Sequence, residues 1–62
     1  MLHGIKARRH LAGLTQAQVA ARLHVTPQAF ADMERRPSIQ LRTLYAVADA
    51  LGCEPGDLLP KA

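Results

Sequence analysis

The sequence predicts an all-α fold, a compact bundle of about five short helices. Three observations carry that expectation. No alternation of apolar and polar residues lasts long enough for a half-buried strand, and apolar residues instead recur at spacings of three and four. Proline and glycine stand only at element edges, apart from Gly4 near the start of a first helix. Aromatics are few, Phe30 and Tyr45 alone. The 62 residues allow a single domain, 1–62. A chain of this size buries only about 60% of the surface its unfolded form exposes, so the core must be thin.

The first helix is expected over about residues 2–12, with Ile5, Arg9 and Ala12 on one face. Gly13 supplies its stop. Thr15 opens the second helix, and Gln18 three positions on completes a capping box. Val19, Ala20 and Leu23 form its inner face. Thr26 caps a third helix, with Pro27 at the first helical position, where a missing N–H costs nothing. Phe30 and Met33 point inward there. Pro37 closes that region. A fourth helix is expected over about residues 40–51, with Leu41, Leu44, Val47, Ala48 and Leu51 on one stripe, Gly52 as stop and Ser38 as a candidate cap. A last short turn spans about residues 55–59, with Asp57 in its first turn, complementing the dipole.

Lys and Arg number 8 against 5 Asp and Glu, a formal net charge of +3. Most of the cations fall into two groups, Lys6, Arg8, Arg9 and Arg35, Arg36, Arg42. Either a solvated surface or an anionic partner suits that pattern. Cys53 is the only cysteine, so no disulfide within the chain is expected, and a lone thiol fits a reducing interior. No long apolar run follows the N-terminus and none approaches the roughly 20 residues of a membrane helix, so neither a secretory leader nor a membrane span is expected. His3, His10, His24 and Cys53 lack zinc-ligand spacing, and no metal or other cofactor is expected. No grouping of nucleophile, base and acid stands out, which argues against an enzyme.

The second and third helices are joined by little more than His24 and Val25. Helices so close together must cross steeply, the helix-turn-helix arrangement, and the crossing requires a small buried residue, Ala20. The later helix keeps a free outer face and a free N-terminus, whose N–H groups suit phosphate oxygens.

The stretches "GLTQAQVAARLHVTPQAFADME" (residues 13–34) and "LRTLYAVADALGCEPGDLL" (residues 41–59) resemble the lambda-repressor-like, Cro-type (XRE) family of bacterial and phage regulators. The likeness runs over residues 5–59. It implies a sequence-specific double-stranded DNA-binding transcriptional regulator, a repressor acting as a homodimer on a palindromic operator in the bacterial or phage-infected cytoplasm. By the same resemblance Pro27, Gln28, Ala31 and Asp32 face bases. Gln28 has the chemistry to pair with adenine N6 and N7. Gln16, Thr26, Arg35, Arg36 and Ser38 are implied phosphate contacts, the last three in a loop after the third helix; such contacts set register and carry no sequence information. His24 stands where the family usually has Gly, and the segment between Glu34 and Leu41 is about one residue shorter than usual.

Several residues admit two readings. Asp32, an anion on the outer face, either accepts from a cytosine amine or repels phosphate. Arg9 and Glu34 are either solvated or an ion pair from the first helix to the third, as the resemblance also implies. Cys53 is a small core residue or a reactive thiol. Leu58 and Leu59 either close the core or, with the fourth helix, form the two-fold interface, which would set two recognition helices about 34 Å apart. The recognition helix, taken to end before Arg35, carries no Lys or Arg, and Asp32 on it is acidic; both favour another class of function. That alternative is a protein-interaction module, such as an antitoxin or small accessory factor with a toxin or other protein partner.

Overall fold

A computed structural model describes residues 4–36 and 38–59. The chain forms four α-helices, α1 (Ile5–Leu11), α2 (Gln16–Leu23), α3 (Pro27–Arg35) and α4 (Leu41–Leu51), then a 3₁₀ turn, Pro55–Leu58. Among the described residues there is no strand.

The starts are built as the sequence suggests. The Thr15 hydroxyl accepts from the Gln18 N–H at 3.1 Å, and the Gln18 side chain accepts from the Thr15 N–H at 2.8 Å. Thr26 accepts from the Ala29 N–H at 3.1 Å, with Pro27 next in line. At the 3₁₀ turn, Asp57 accepts from the Glu54 N–H at 3.0 Å, so its carboxylate caps as well as complementing the dipole.

Three helix ends share one device. After α1 the Leu14 N–H reaches the Arg9 carbonyl and Gly13 N–H that of His10; after α2, Val25 reaches Ala20 and His24 reaches Ala21; after α4, Cys53 reaches Ala48 and Gly52 reaches Asp49. Each is a Schellman closure, which needs a left-handed residue at the turn. Gly13 and Gly52 supply φ of 72° without steric cost, whereas His24 takes φ 59° with a side chain attached.

The core comprises Ile5 of α1, Val19 and Ala20 of α2, Phe30 of α3, Leu44, Val47, Ala48, Ala50 and Leu51 of α4, and Leu58 of the 3₁₀ turn. Leu14, Leu23, Met33, Ile39, Cys53 and Leu59 pack around it. Ala20 is fully buried, as a close approach of α2 to α3 demands. Three polar ties hold the layers. Gly4 N–H donates to the Leu58 carbonyl at 2.8 Å, Arg8 pairs with Asp57 at 3.2 Å, and Arg22 Nη1 donates to the Ala50 carbonyl at 2.7 Å.

The fold departs from the sequence reading at several places. Ala12 is exposed, because α1 ends at Leu11 and the turn carries Ala12 away from the core. Ser38 does not cap α4; Gln40 occupies that position and makes no side-chain cap bond. Leu41 is 47% exposed, since the first turn of α4 overhangs the core. Val25 is 38% exposed and pins the turn only in part. Arg35 belongs to the last turn of α3 rather than to the following loop, and Arg36 is its C-cap. Leu58 is fully buried within the single chain, so its side chain closes the core and has no surface left for an interface, while Leu59 is half-buried. Residues 2 and 3 of the expected first helix, and Pro37, lie outside the described residues.

Candidate nucleic-acid interface

Helix α3 is held by its inner side and open on its outer one. Phe30 is fully buried and Met33 half-buried. Thr26, Pro27, Gln28 and Ala29 are exposed, and Ala31 and Asp32 are half-exposed. The flank assigned to bases is therefore accessible.

The polar groups on that flank are organised. Gln28, Asp32 and Arg35 stand four and three residues apart, one row along the helix. The Gln28 Nε2–H donates to Asp32 Oδ1 at 3.2 Å. The Arg35 guanidinium donates to the same oxygen. Asp32 thus has two partners on its own helix, and Arg35 brings a cation to the outer flank. The spacing was legible in the sequence, but the reading that set Arg35 in a loop concealed it.

A second network fixes how α3 is presented. Arg9 Nε–H donates to Glu34 Oε2 at 2.6 Å, Arg9 Nη1 to the Leu14 carbonyl at 2.9 Å, and Gln16 Nε2 to Glu34 Oε1 at 2.7 Å. The side chains of Arg9 and Glu34 are only 9% and 3% exposed. Burial pushes the Glu34 carboxyl up; the hydrogen bonds from Arg9 and Gln16 and the charges of Arg9 and Lys6 outweigh it, leaving the group below its ordinary value. α1, the start of α2 and the end of α3 are tied through one carboxylate. Gln16 braces α3 with one hydrogen of an amide nitrogen that carries two.

Beyond α3, Arg36 and Ser38 are exposed. With Met33, Ile39, Gln40 and Thr43 they line an open depression between the end of α3 and the start of α4. Cys53 is half-buried, and burial is the main cause that raises its thiol, with Asp57 and Glu54 adding and Arg8 opposing. That favours the small packing residue over a reactive thiolate. Among the described residues no three His, Cys, Asp or Glu side chains group to hold a metal ion.

A family model described as helix-turn-helix matches residues 5–58, nearly the whole chain. The chain belongs to the lambda-repressor-like, Cro-type helix-turn-helix family. No curated protein and no solved structure matches it. As a member of this family it is a DNA-binding transcription regulator, on a fold that is generally non-enzymatic. In that family frame α2 and α3 are the paired helices of the helix-turn-helix, and the exposed flank belongs to the second of them. No helix among the described residues is long and apolar enough to cross a membrane.

Proposed function

We propose that the protein is a sequence-specific repressor that occupies a palindromic operator as a homodimer. The observation that carries this reading is the outer flank of α3: accessible from Thr26 to Asp32, set with Gln28 and Arg35 in one row, and braced from behind by Glu34. Gln28 reads an adenine edge, with Pro27, Ala31 and Asp32 shaping the surface beside it. Gln16, Thr26, Arg35, Arg36 and Ser38 hold phosphates and set register. No cofactor takes part.

The dimer contact uses the outer side of α4, where Leu41 and Tyr45 are 47% and 54% exposed one turn apart, and the half-buried Leu59. Pairing two copies offsets the thin core of a 62-residue chain. The protein acts in the bacterial or phage-infected cytoplasm, on the nucleoid.

A second reading, a protein-interaction module such as an antitoxin or small accessory factor, draws support from an apolar groove between the α2–α3 turn and α4. Leu23, Val25, Met33, Ala46 and Val47 line it, and Arg42 stands among them. The two readings separate in one experiment, selection of bound duplexes from a random pool and a salt titration on the winner. A repressor enriches a palindrome and loses affinity steeply with salt. A module that binds only protein enriches nothing.

A further inference from the structure

We propose that Asp32 is a specificity-determining residue that acts through its two neighbours and touches no base. This rests on the DNA-binding reading of α3. One oxygen, Asp32 Oδ1, accepts from both Gln28 and Arg35. The side chains of Arg35 and Asp32 are 70% and 44% exposed, so the group sits on the open flank and not in the core. Each half of the contact has a consequence.

The first concerns affinity. Arg35 is the cation of the row, and in the free protein its guanidinium lies on a carboxylate of its own helix. To reach a phosphate it must exchange Asp32 for the duplex. That exchange weakens binding to every sequence alike, so it lowers the sequence-independent attraction and leaves the choice among sequences to the other half of the contact.

The second concerns direction. A Gln side chain recognises adenine by donating from Nε2 to N7 and accepting at Oε1 from the N6 amine. Nε2 carries two hydrogens. Asp32 takes one, which fixes which end of the amide is the donor and leaves the other hydrogen and Oε1 for the base. A carboxylate suits this task because it only accepts, so a flipped amide would set oxygen against oxygen.

The test compares Asp32→Ala, Arg35→Ala and the double variant with the wild type, on the duplex recovered by selection and on a random-sequence duplex. Asp32→Asn, which keeps the shape and removes the charge, runs beside them. Asp32→Ala is expected to tighten binding to the random duplex by about threefold or more and to lower the ratio of selected to random affinity by a similar factor. In the Arg35→Ala background the gain on the random duplex is expected to vanish, because there is no longer a cation to release. An equal gain in both backgrounds overturns the proposal, since Asp32 would then merely repel phosphate. A loss confined to one C·G pair of the selected site also overturns it, since Asp32 would then read cytosine directly. Wild-type protein that binds no duplex at low salt overturns the DNA-binding reading itself, and the role of Asp32 with it.

Discussion

Arg9 of α1 and Glu34 of α3 form a buried ion pair, Nε to Oε2 at 2.6 Å, beside a core that among the described residues holds otherwise only apolar side chains. Burial of two charges is favourable only when each remaining lone pair and proton finds a partner. Here Gln16 and the Leu14 carbonyl provide them. The pair fixes the end of α3 against α1, so fold stability and presentation of the recognition flank depend on the same atoms. Glu34→Ala leaves the Arg9 guanidinium buried beside one carbonyl, and breaking a buried pair this way costs roughly 3–5 kcal/mol. With about 4–8 °C per kcal/mol for a domain of this size, the melting temperature is expected to fall by more than about 10 °C. An unchanged melting curve would show the pair to contribute nothing.

The same carboxylate gives the fold a dependence on acid. Its folded-state value lies below the ordinary 4.5, so it binds its proton less readily in the fold than in the unfolded chain. A depressed carboxyl contributes stability that is complete above its unfolded value and is lost as pH falls through the folded one. Melting temperatures of the wild type between pH 7 and 3 are expected to decline below about pH 4.5. Glu34→Gln, already less stable at pH 7, is expected to decline less over that interval. Parallel curves for the two proteins would assign the acid sensitivity to other carboxylates.

The turn between α2 and α3 carries a removable strain. His24 at φ 59° does the work that Gly13 and Gly52 do at the other two Schellman closures. The left-handed region costs a side chain roughly 1–2 kcal/mol. Glycine returns part of that gain, about 0.5–1 kcal/mol, through the freedom of the unfolded chain. His24→Gly is therefore expected to stabilise the fold by about 0.5–1 kcal/mol in thermal or denaturant unfolding. A destabilised variant would mean that the imidazole makes a contribution larger than its backbone strain.

The legibility of these features follows from their range along the chain. Caps are local: Thr15 and Thr26 announced the starts of α2 and α3, and Gly13 and Gly52 the ends of α1 and α4. The helix-turn-helix pattern placed Ala20 and Phe30 in the core, where they are fully buried. Features that depend on chain path were harder. Ser38 was a plausible cap by type, but the chain enters α4 two residues later, at Gln40. Leu58 lies in a four-residue turn with no periodicity to orient it, and only its packing against α4 shows that it belongs to the core. Arg22 reaches the Ala50 carbonyl across 28 positions, which no local signal announces. The Gln28–Asp32–Arg35 row was legible at its spacing of four and three once α3 is taken through Arg35.

The backbone-contact set is open to a separate check. Each phosphate neutralised contributes about 0.9 to the slope of log affinity against log salt on duplex DNA. Arg35→Ala and Arg36→Ala are each expected to flatten that slope by about one such increment while leaving the preferred sequence intact. Unaltered slopes would remove both side chains from the phosphate contacts.

The flank of α3 as a reader of base edges is tested most directly by Gln28→Ala, measured side by side on the selected operator and on random duplex. Gln28 is exposed, so the substitution spares the core. Specific binding is expected to weaken by about 1–3 kcal/mol, with loss of preference at one A·T position, while binding to random duplex holds. Equal change on both duplexes would contradict the assignment, because Gln28 would then contribute to affinity without reading sequence.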